Sequence, residues 1–558
     1  MYLKARVLKL IQTAIEELRQ TGFLTQDFKV IAELDRPATP EHGDYATNLA
    51  MQSAKKIGQP PRIFAEKLVE KIRGYSELIE KIQIAGPGFI NFYLKPRVLF
   101  KEIQTIIGSQ KHYGESDWGQ GRKILLEFVS ANPVGPLNVV SARAAAVGDS
   151  LARILNNQGV KASKEYYIND AGNQAQLLGE SLYARWLQSK GKEVSVPEQG
   201  YQGEYIITLA KEIVADNNEE KILALKPQEA IAFFRKKGVE RLVFSHKQDL
   251  ESFGVEFDNW FYESQLYKKE KVKQALNELE KKGYVYEKEG ASWFKSTELG
   301  DDKDRVLIKN NGEPAYLAAD IAYHKDKFER GYQELIDLWG PDHHGYIGRL
   351  QAAIQALGFD KKAFQVYIVQ QVNLLEAGKP VAMSKRAGRF VTMADLLTEV
   401  GKDVARFFFL MRSKDAHLDF YLDLARKQTE DNPVFYIQYA HARICSILNK
   451  SKQENIAFKL EDIKDTDYTF KGEEISLMRD LVAYPEILET CARTLEPHTL
   501  AFMLRDIATS FHRFYTMCKV INKEDMLTTK FRLILTEASK IILKNGLELL
   551  GISAPASM

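Results

Sequence analysis

Apolar residues in the first twenty positions recur at the spacing of one helix face. They predict an amphipathic helix and are Leu3, Val7, Leu8, Ile11, Ile15 and Leu18. The same stretch carries Glu16 and Glu17 and lacks a small-residue cleavage site, which argues against a signal peptide. Further on, residues 82–94 follow a strand-turn-strand pattern around the turn residues Gly86, Pro87 and Gly88. Residues 1–112 are therefore predicted to form an α+β module.

A nearly continuous apolar run, KILLEFVS at 123–130, has the character of a buried parallel strand. A loop with proline and glycine at 132–136 follows, and then a helix pattern at 141–159 that ends on a glycine. Another strand pattern, KEYYIND, occupies 164–170. Strand, loop, helix and strand in this order form a βαβ unit, which predicts a doubly wound, Rossmann-type α/β domain over residues 120–428.

Two other stretches depart from the α/β alternation. Residues 176–300 are charged and mostly helical, and we expect them to be an insertion in the α/β domain. From Pro433 the pattern is purely helical, so residues 429–558 are predicted to form an all-α bundle. One apolar helix face in that bundle is marked by Leu500, Leu504, Ile507, Phe511, Phe514 and Cys518.

Composition and charge limit the possible partners. The chain has 558 residues, too many for one hydrophobic core, and 45% of them are hydrophobic. Its net charge is +2, so a nucleic-acid partner must be held by local basic patches. No run of about 18 apolar residues occurs, and we expect no membrane association.

The three cysteines are Cys445, Cys491 and Cys518, which lie far apart in apolar helical patterns. Their odd number and the lack of a C-x-x-C pair argue against a disulfide framework and against a zinc site. Reduced thiols inside the core are the expected state, which fits a cytoplasmic protein.

The loop and helix start at 131–143, ANPVGPLNVVSAR, form a candidate phosphate site. Free backbone N–H groups and the helix dipole at such a position both favour an anion. A tight strand-to-helix turn with glycine for its geometry alone would give the same pattern. Taken by itself, the segment favours neither interpretation.

A polar loop at 381–392, VAMSKRAGRFVT, holds Lys385, Arg386 and Arg389. Lysine and arginine on a loop of this kind can close on a polyphosphate and stabilise charge that develops in a transition state. The alternative is a solvated basic loop, which is the commoner role of an isolated Lys-Arg pair.

Tyr316 and Asp320, in AYLAADIAYH, are four residues apart and share a face if the stretch is helical. A carboxylate beside a tyrosine hydroxyl suits a planar guanidinium. The alternative is an acidic residue near a helix N-terminus, favoured there by the dipole.

A fourth candidate, GPDHHGY at 340–346, follows a predicted strand and so lies where open α/β sheets bind ligands. Two histidines at adjacent positions rarely face the same ion, so we predict that this segment binds no metal and that the protein has no metal site of its own.

Several blocks of the sequence together resemble one family. The blocks include EFVSANPVGPLNVVSARAAAVGD, EYYINDAGNQ, WFKSTELGDDKDRVL, AYLAADIAYHKDKFERG, DLWGPDHHGY, MSKRAG, NPVFYIQYAHARICSIL and LELLGISAP. They resemble the bacterial arginyl-tRNA synthetases, which are class I aminoacyl-tRNA synthetases. The resemblance runs from GDYATN near the start to the last ten residues.

The resemblance implies roles for individual residues. Residues 137–143 take the place of the H-I-G-H motif, and 382–386 take the place of K-M-S-K-S. The residues implied near the arginine substrate are Glu127, Ser130, Asn132, Tyr316 and Asp320, with Asn132 at its α-amino and carboxylate end and the last two at its guanidinium. Those implied near ATP are Pro136, Asn138, Ser141, Gly340, Asp342, His344, Met383, Ser384 and Lys385, and catalysis is implied for Asn138, Ser141 and Lys385.

Two departures from the family pattern are visible. The H-I-G-H positions read Asn138, Val139, Val140 and Ser141, and K-M-S-K begins with alanine but keeps its second lysine, Lys385. Asparagine and serine can donate hydrogen bonds to phosphate, although without positive charge. The lysine that carries most of the charge stabilisation is present.

The implied activity is the ATP-dependent attachment of L-arginine to tRNA(Arg) through an arginyl-adenylate, with Mg²⁺ and with tRNA bound before activation. The N-terminal module would contact the outer corner of the tRNA, and the bundle would bind its anticodon arm. The candidate bundle contacts, which could instead be packing residues, are Tyr436, Gln438, Tyr439, His441 and Arg443. The expected state is a cytoplasmic monomer.

Two alternatives remain. The first is a class I synthetase for another amino acid. The Tyr316/Asp320 pair argues against an apolar amino acid as its substrate. The second is a non-catalytic tRNA-binding paralogue, against which Lys385, Asp320 and Asn132 argue.

Overall fold

The N-terminal module is a small antiparallel sheet covered by helices. The computed structural model describes residues 2–37, 39–73, 77–381, 392–457, 460 and 468–558 of the chain. The three strands of the module have the order β1-β3-β2, and the predicted apolar face of α1 is buried against the module's core. The elements are α1 (Leu3–Gln20), β1 (Tyr45–Thr47), α2 (Leu49–Ile57), α3 (Pro61–Arg73), β2 (Ile79–Ala85), β3 (Phe89–Leu94) and α4 (Pro96–Ser109).

A five-stranded parallel sheet forms the centre of the molecule, with the order β11-β10-β4-β5-β6. Its strands are β4 (Lys123–Glu127), β5 (Lys161–Ile168), β6 (Asn259–Tyr262), β10 (Glu334–Trp339) and β11 (Phe364–Ile368). The helices joining them in the βαβ manner include α5 (Val139–Asn157), α12 (Tyr316–Glu329) and α13 (Ile347–Ala356). The predicted doubly wound α/β fold is confirmed.

Helix α5 packs unusually close to the sheet at Gly148. A Cβ atom at this position would overlap the ring of Phe128, the residue that follows β4. Glycine removes that obstacle, at the cost of a weaker intrinsic helix preference. The close packing fixes where the N-terminus of α5 meets the end of β4.

The expected insertion at 176–300 needs a correction, because β6 lies within it and pairs with β5 in the central sheet. The stretch is therefore two excursions. The first is helical: α6 (Asn173–Ser189), α7 (Glu204–Ala215), α8 (Glu219–Leu223) and α9 (Pro227–Ser252). The second contains α10 (Ser264–Lys268), α11 (Lys271–Lys281), β7 (Val285–Lys288), β8 (Ala291–Phe294) and β9 (Arg305–Ile308). At four residues, β6 is too short to show a strand period in a charged stretch.

The rest of the α/β region and the helical bundle complete the chain. A second small sheet has the order β13-β12-β14. Its elements and neighbours are β12 (Val372–Glu376), β13 (Lys379–Pro380), α14 (Met393–Val400), α15 (Lys402–Leu410), β14 (Leu418–Tyr421) and α16 (Leu422–Ala425). The bundle consists of α17 (Pro433–Gln453), α18 (Gly472–Val482), α19 (Tyr484–Thr494), α20 (His498–Met517) and α21 (Met526–Leu549).

A buried ion pair joins three parts of the chain. Asp149 on α5 accepts a 2.7 Å hydrogen bond from Arg406 Nη2 on α15, and neither residue is exposed. Arg406 Nε also donates to the carbonyl of Leu550, just after α21. The bundle's last helix is thereby tied to the helix that begins at the candidate phosphate loop.

All three cysteines are free thiols; Cys491 and Cys518 are buried and Cys445 is half-buried. Among the described residues, no helix has both the length and the apolar character needed to cross a bilayer.

Candidate active site

The candidate residues gather at the carboxyl ends of the central parallel strands. Glu127 ends β4, Asn169 follows β5, Glu263 follows β6 and Gly340 follows β10. Because parallel strands end at the same edge of a sheet, these positions line one cleft, in the place where open α/β sheets bind ligands.

The backbone after β4 turns sharply. Val129 has φ 68° and Ser130 has φ 37°, so two consecutive non-glycine residues occupy left-handed conformations. Two hydrogen bonds hold the turn: Ser130 Oγ donates to Glu127 Oε1 at 2.9 Å and accepts from the Tyr167 N–H at 3.1 Å. Strained backbone of this kind is kept where the surroundings enforce it, often at functional sites. It leads the loop at 131–136 over the ends of the strands.

Asn138 and Ser141 interact with each other at the start of α5. Asn138 caps the helix: its Oδ1 accepts from the Ser141 N–H at 2.9 Å and from Ser141 Oγ at 3.1 Å. The hydroxyl proton of Ser141 is thus directed at Asn138, which leaves the side-chain Nδ2 of Asn138 as the donor available to a ligand. Their predicted phosphate contacts stay predictions.

The segment after the basic loop lies against this helix start. Met393 N donates to the Leu137 carbonyl at 2.8 Å, and Thr392 forms a β-bridge with Asn138. Thr392 and Met393 therefore contact the first candidate phosphate segment, although they lie some 250 residues away in sequence. The predicted ATP contacts Met383, Ser384 and Lys385 lie outside the described residues.

Tyr316 and Asp320 share a face of the first turns of α12, as the spacing indicated. Tyr316 is exposed, with its hydroxyl 3.4 Å from Asn169 Nδ2. Asp320 Oδ2 accepts from the Tyr346 hydroxyl at 2.5 Å. Burial raises the pKa of Asp320, while the hydrogen bond from Tyr346 acts in the opposite direction. Within the described chain, Asp320 has no ion-pair partner.

Glu263, directly after β6, was missed by the sequence interpretation. It is only 5% exposed, and its Oε2 has no hydrogen-bond partner in the part of the chain that the structure describes. The Tyr267 hydroxyl lies 3.4 Å from the other oxygen. Burial raises the pKa of Glu263 to about 7, and the nearby Asp320 adds to the effect. A strand ending in an acidic residue is the signal that could have found it, had β6 been recognised.

Beneath the cleft, three acidic residues stand side by side on neighbouring strands. Asp337, Glu127 and Glu165 are direct cross-strand partners. The fully buried Lys327 donates to Glu127 Oε2 at 2.5 Å and to Asp337 Oδ1 at 2.9 Å, and Arg330 forks onto Glu165 at 2.6 and 2.8 Å. Glu127, predicted to lie near the substrate, is therefore part of a neutralised floor of the cleft.

The helix α12 is also fixed to this floor through His324. Its Nδ1 donates to the Asp320 carbonyl at 2.8 Å, and its Nε2 lies 2.9 Å from Asp337 Oδ2. Burial opposes ionisation of Asp337, but Lys327 and His324 hold its pKa below the usual range. Both ring nitrogens of His324 therefore face acceptor oxygens. The backbone at Asp320 is thereby held in one position.

The remaining predicted contacts lie around the rim. Asn132 Nδ2 donates to Gln174 Oε1 at 2.8 Å, in an exposed position. Gly340 precedes a 3-10 helix, Pro341–Tyr346, which presents Asp342 and His344 to solvent. Over the described residues, no group of three or more His, Cys, Asp or Glu side chains could hold a metal ion.

In the bundle, Tyr436, Tyr439 and Arg443 form one cluster with His512 of α20. Arg443 donates to the Tyr439 hydroxyl at 2.7 Å and to His512 Nδ1 at 3.2 Å, and the rings of Tyr436 and His512 are 4.8 Å apart. Tyr515 extends the cluster outward and is 40% exposed. The cluster combines half-buried aromatic rings with one positive charge.

Gln438 and His441 do not belong to that cluster, and their prediction as base contacts is wrong. Both are buried. Gln438 Nε2 donates to Asp403 at 2.9 Å and to the Ser553 carbonyl at 3.0 Å, and His441 Nδ1 donates to the Pro555 carbonyl at 2.8 Å. They hold the C-terminal segment against α17.

Comparison with known proteins agrees with this arrangement along the whole chain. Three family models match: the arginyl tRNA synthetase N terminal domain over 5–94, the catalytic domain of class I tRNA synthetases (R) over 102–417, and the DALR anticodon binding domain over 437–558. The arginine–tRNA ligase 1 of Halalkalibacterium halodurans is 46% identical over 550 residues, 99% of this chain and 98% of that protein. The arginine–tRNA ligase of Citrifermentans bemidjiense is 45% identical over 556 residues, 100% of this chain and 99% of that one.

A solved structure shows the same fold. Thermus thermophilus arginyl-tRNA synthetase superposes with a TM-score of 0.76 and 21% identity, covering 100% of both chains. The doubly wound sheet, the cleft at its carboxyl edge and the matching catalytic model define a class I aminoacyl-tRNA synthetase. With relatives at 45–46% identity over nearly its full length, the chain belongs to the arginyl-tRNA synthetase family.

Proposed function

We propose that the cleft at the carboxyl edge of the sheet is where this chain, an ATP-dependent arginine–tRNA ligase, forms arginyl-adenylate. One observation carries the proposal: two buried or half-buried carboxylates, Asp320 and Glu263, lie near each other with no cationic partner in the described chain. Buried charges are normally paired, so the site is chemically complete only with a cation between them.

A guanidinium fits that requirement better than an ammonium. It is planar, permanently charged and carries five N–H donors in a fork that matches carboxylates. Tyr316 and Tyr346 add hydroxyl groups at the same place, the latter already bonded to Asp320 at 2.5 Å. The pair of carboxylates therefore favours arginine over the substrates of other class I synthetases.

The other end of arginine would lie toward the loop at 131–136. Asn132 and the strained turn at Ser130 are the groups we assign to its α-amino and carboxylate end, which leaves the carboxylate pointing at the start of α5. The N–H groups at a helix N-terminus that are not capped, here those other than the Ser141 N–H, and the helix dipole favour phosphate there. Asn138 Nδ2 supplies a side-chain donor, with Gly340, Asp342 and His344 along the nucleotide, and Lys385 is proposed to act from the adjoining loop.

The chemistry would be two displacements. A carboxylate oxygen of arginine attacks the α-phosphorus of ATP, the bond to the bridging oxygen breaks, and pyrophosphate leaves with that electron pair. The 2′-hydroxyl of the terminal adenosine of tRNA then attacks the arginyl carbonyl carbon, loses its proton and displaces AMP. Positioning and electrostatic stabilisation suffice, and no side chain becomes covalently attached. Mg²⁺ would arrive with the phosphates of ATP, as it usually does in such sites.

The tRNA would be held at both ends of the chain. We assign the anticodon arm to the cluster of Tyr436, Tyr439 and Arg443 in the bundle, since unpaired bases stack on aromatic rings and on guanidinium planes. The N-terminal module (1–112) would contact the outer corner of the tRNA, the catalytic domain (120–428) the acceptor end, and the bundle (429–558) the anticodon. All of these parts belong to one chain, so we propose that the protein acts as a monomer. We place it in the cytoplasm, where free thiols persist.

The test is ATP–pyrophosphate exchange with each of the twenty amino acids, with and without tRNA(Arg). Of the twenty amino acids, we expect only arginine to support exchange, and we expect it to do so only when tRNA is present. Exchange with a different amino acid would identify a synthetase of another specificity. No exchange under any condition, together with tight tRNA binding, would identify a non-catalytic paralogue.

A further inference from the structure

Three side chains, two of them outside the blocks that carry the family resemblance, bind the backbone of the loop at 131–135. The Tyr166 hydroxyl on β5 donates to the Ala131 carbonyl at 3.0 Å. The Tyr205 hydroxyl on α7 donates to the Val134 carbonyl at 2.7 Å. His246 Nε2 on α9 donates to the Gly135 carbonyl at 2.8 Å.

The donors are themselves fixed. His246 and Tyr166 are fully buried, and His246 Nδ1 lies 3.0 Å from the Tyr166 hydroxyl. The ring of Tyr166 stacks on Trp260 at 4.4 Å and meets Phe257 edge-on at 5.5 Å. Burial lowers the pKa of His246, so the ring is neutral near pH 7 and keeps its single proton on the nitrogen that faces Gly135. The unprotonated Nδ1 and the Ala131 carbonyl then share the single hydroxyl proton of Tyr166, which lies 3.0 Å from both.

Two of these bonds determine which way N–H groups of the loop point. The third, from His246 to the Gly135 carbonyl, fixes the position of the loop, because the next residue is Pro136 and has no N–H. In a trans peptide the C=O and the following N–H point in opposite directions. Fixing the Ala131 carbonyl toward Tyr166 on β5 and the Val134 carbonyl toward Tyr205 on α7 therefore turns the N–H groups of Asn132 and Gly135 away from these two hydroxyl groups. Within the residues that the structure describes, neither of these N–H groups has a hydrogen-bond partner.

We propose that His246, Tyr166 and Tyr205 are positioning residues for adenylate formation, which hold the loop so that the Asn132 and Gly135 N–H groups and the Asn132 side chain meet the reacting carboxylate and phosphate. The proposal rests on the proposed function, since it takes this loop as the place where the two anions approach each other. It assigns a catalytic purpose to the helical excursion, whose helices α7 and α9 supply two of the three donors. Oriented N–H groups of this kind stabilise charge as it develops and lower kcat when they are displaced.

A purely structural role would make a different prediction. His246 could simply fill space in the packing of α9, and its loss would then reduce stability in proportion to the volume removed and would leave kcat unchanged. The two roles separate through a variant that keeps the donor. Glutamine can place an N–H near the position of Nε2, whereas leucine has a similar size and no donor.

The experiment measures arginine- and tRNA-dependent ATP–pyrophosphate exchange, with kcat and both KM values, and the melting temperature. The variants are His246→Leu, His246→Gln and Tyr205→Phe, and Phe234→Leu is the control: a fully buried side chain on the same helix without a polar bond to the loop. We expect His246→Leu to lose at least tenfold in kcat, His246→Gln to retain most of it, and Phe234→Leu to lose melting temperature but little kcat. Tyr205→Phe removes one hydroxyl without a cavity and should lower kcat severalfold with an unchanged melting temperature.

The outcomes distinguish the two claims. If the wild type shows no arginine-dependent exchange, the proposed function fails, whatever the variants do. If the wild type is active while His246→Leu and Tyr205→Phe keep a normal kcat, the positioning role alone is refuted. Should His246→Leu not fold, the Tyr205→Phe kcat decides the question, because that variant keeps the buried packing.

Discussion

Replacing Glu263 by glutamine should make the free enzyme more stable while it weakens arginine binding. The side chain is almost fully buried, one of its oxygens lacks a partner in the described chain, and burial raises its pKa from 4.5 to about 7. A carboxylate whose folded pKa is raised holds its proton more tightly in the fold than in the unfolded chain. Its ionisation therefore costs folding free energy at high pH and nothing below pH 4.5.

The size of the cost follows from the two pKa values. At pH 8 the difference between 4.5 and about 7 corresponds to about 3 kcal/mol of folding free energy, and glutamine, which is neutral, should recover much of it. The gain should be greatest above pH 7.5, shrink as the pH falls through 7 and disappear near 4.5. Binding should change in the opposite sense, because a hydrogen bond to a charged partner is worth about 1.5 to 3 kcal/mol, or roughly ten- to a hundredfold in arginine KM.

The assay is thermal or denaturant unfolding of the wild type and Glu263→Gln between pH 5 and 8, with the arginine KM measured at pH 8. Glu165→Gln serves as the control, because Glu165 is equally buried but already paired with Arg330 and Tyr323. That control should lose about 1 to 3 kcal/mol of stability, since it leaves donors without their acceptor. If Glu263→Gln is destabilised like the control and binds arginine normally, Glu263 is a structural residue and the reasoning is wrong.

Four further outcomes are expected. Asp320→Asn should raise the arginine KM by tenfold or more, with the ATP KM little changed; an unchanged arginine KM would contradict the guanidinium assignment. Lowering the pH from 7.5 to 6 should raise the wild-type arginine KM by roughly eightfold as Glu263 takes up a proton, and a profile that is just as steep in Glu263→Gln would exclude that group as the cause. Lys385→Ala should lower the kcat of pyrophosphate exchange by roughly a hundredfold, and near-normal exchange would mean a mere surface loop. Asn138→Ala should cut exchange by about ten- to a hundredfold because the helix cap and a donor are lost, whereas Asn138→His should be tolerated; equal activity of Asn138→Ala and wild type would leave the phosphates to the backbone alone.

The elements that the sequence predicted well have strong local patterns. The strand at 123–127 is an apolar run, and the helix at 139–157 begins with a capping asparagine, so local physics alone indicates both. The fold class and the family could be predicted from such segments and from the motifs between them, and both are confirmed. The roles of individual site residues stay predictions.

The misses share a physical cause, which is that the decisive contacts are distant in sequence. β6 has only four residues, and its strand character depends on pairing with β5, almost a hundred positions earlier. With β6 unrecognised, Glu263 looked like one more charged residue of an insertion. Gln438 was misjudged for a geometric reason, since the helical period places 436, 439 and 443 on one face and 438 on another. The C-terminal segment that covers Gln438 shows no sign of that role in its own sequence.

The tie between Asp149, Arg406 and Leu550 also bears on how the protein is made. The carbonyl of Leu550 lies 400 positions after Ser150 in the chain, yet it accepts a bond from the buried guanidinium beside Asp149. A ribosome adding about 5 to 20 residues per second needs roughly 20 to 80 seconds to cover that distance. During that time the helix that starts at the phosphate loop has been synthesised, but the carbonyl that completes its buried ion pair does not yet exist. The buried Arg406 guanidinium therefore gains this hydrogen-bond partner only after synthesis has passed α21, and a chain that ended before Leu550 would leave its Nε without that acceptor.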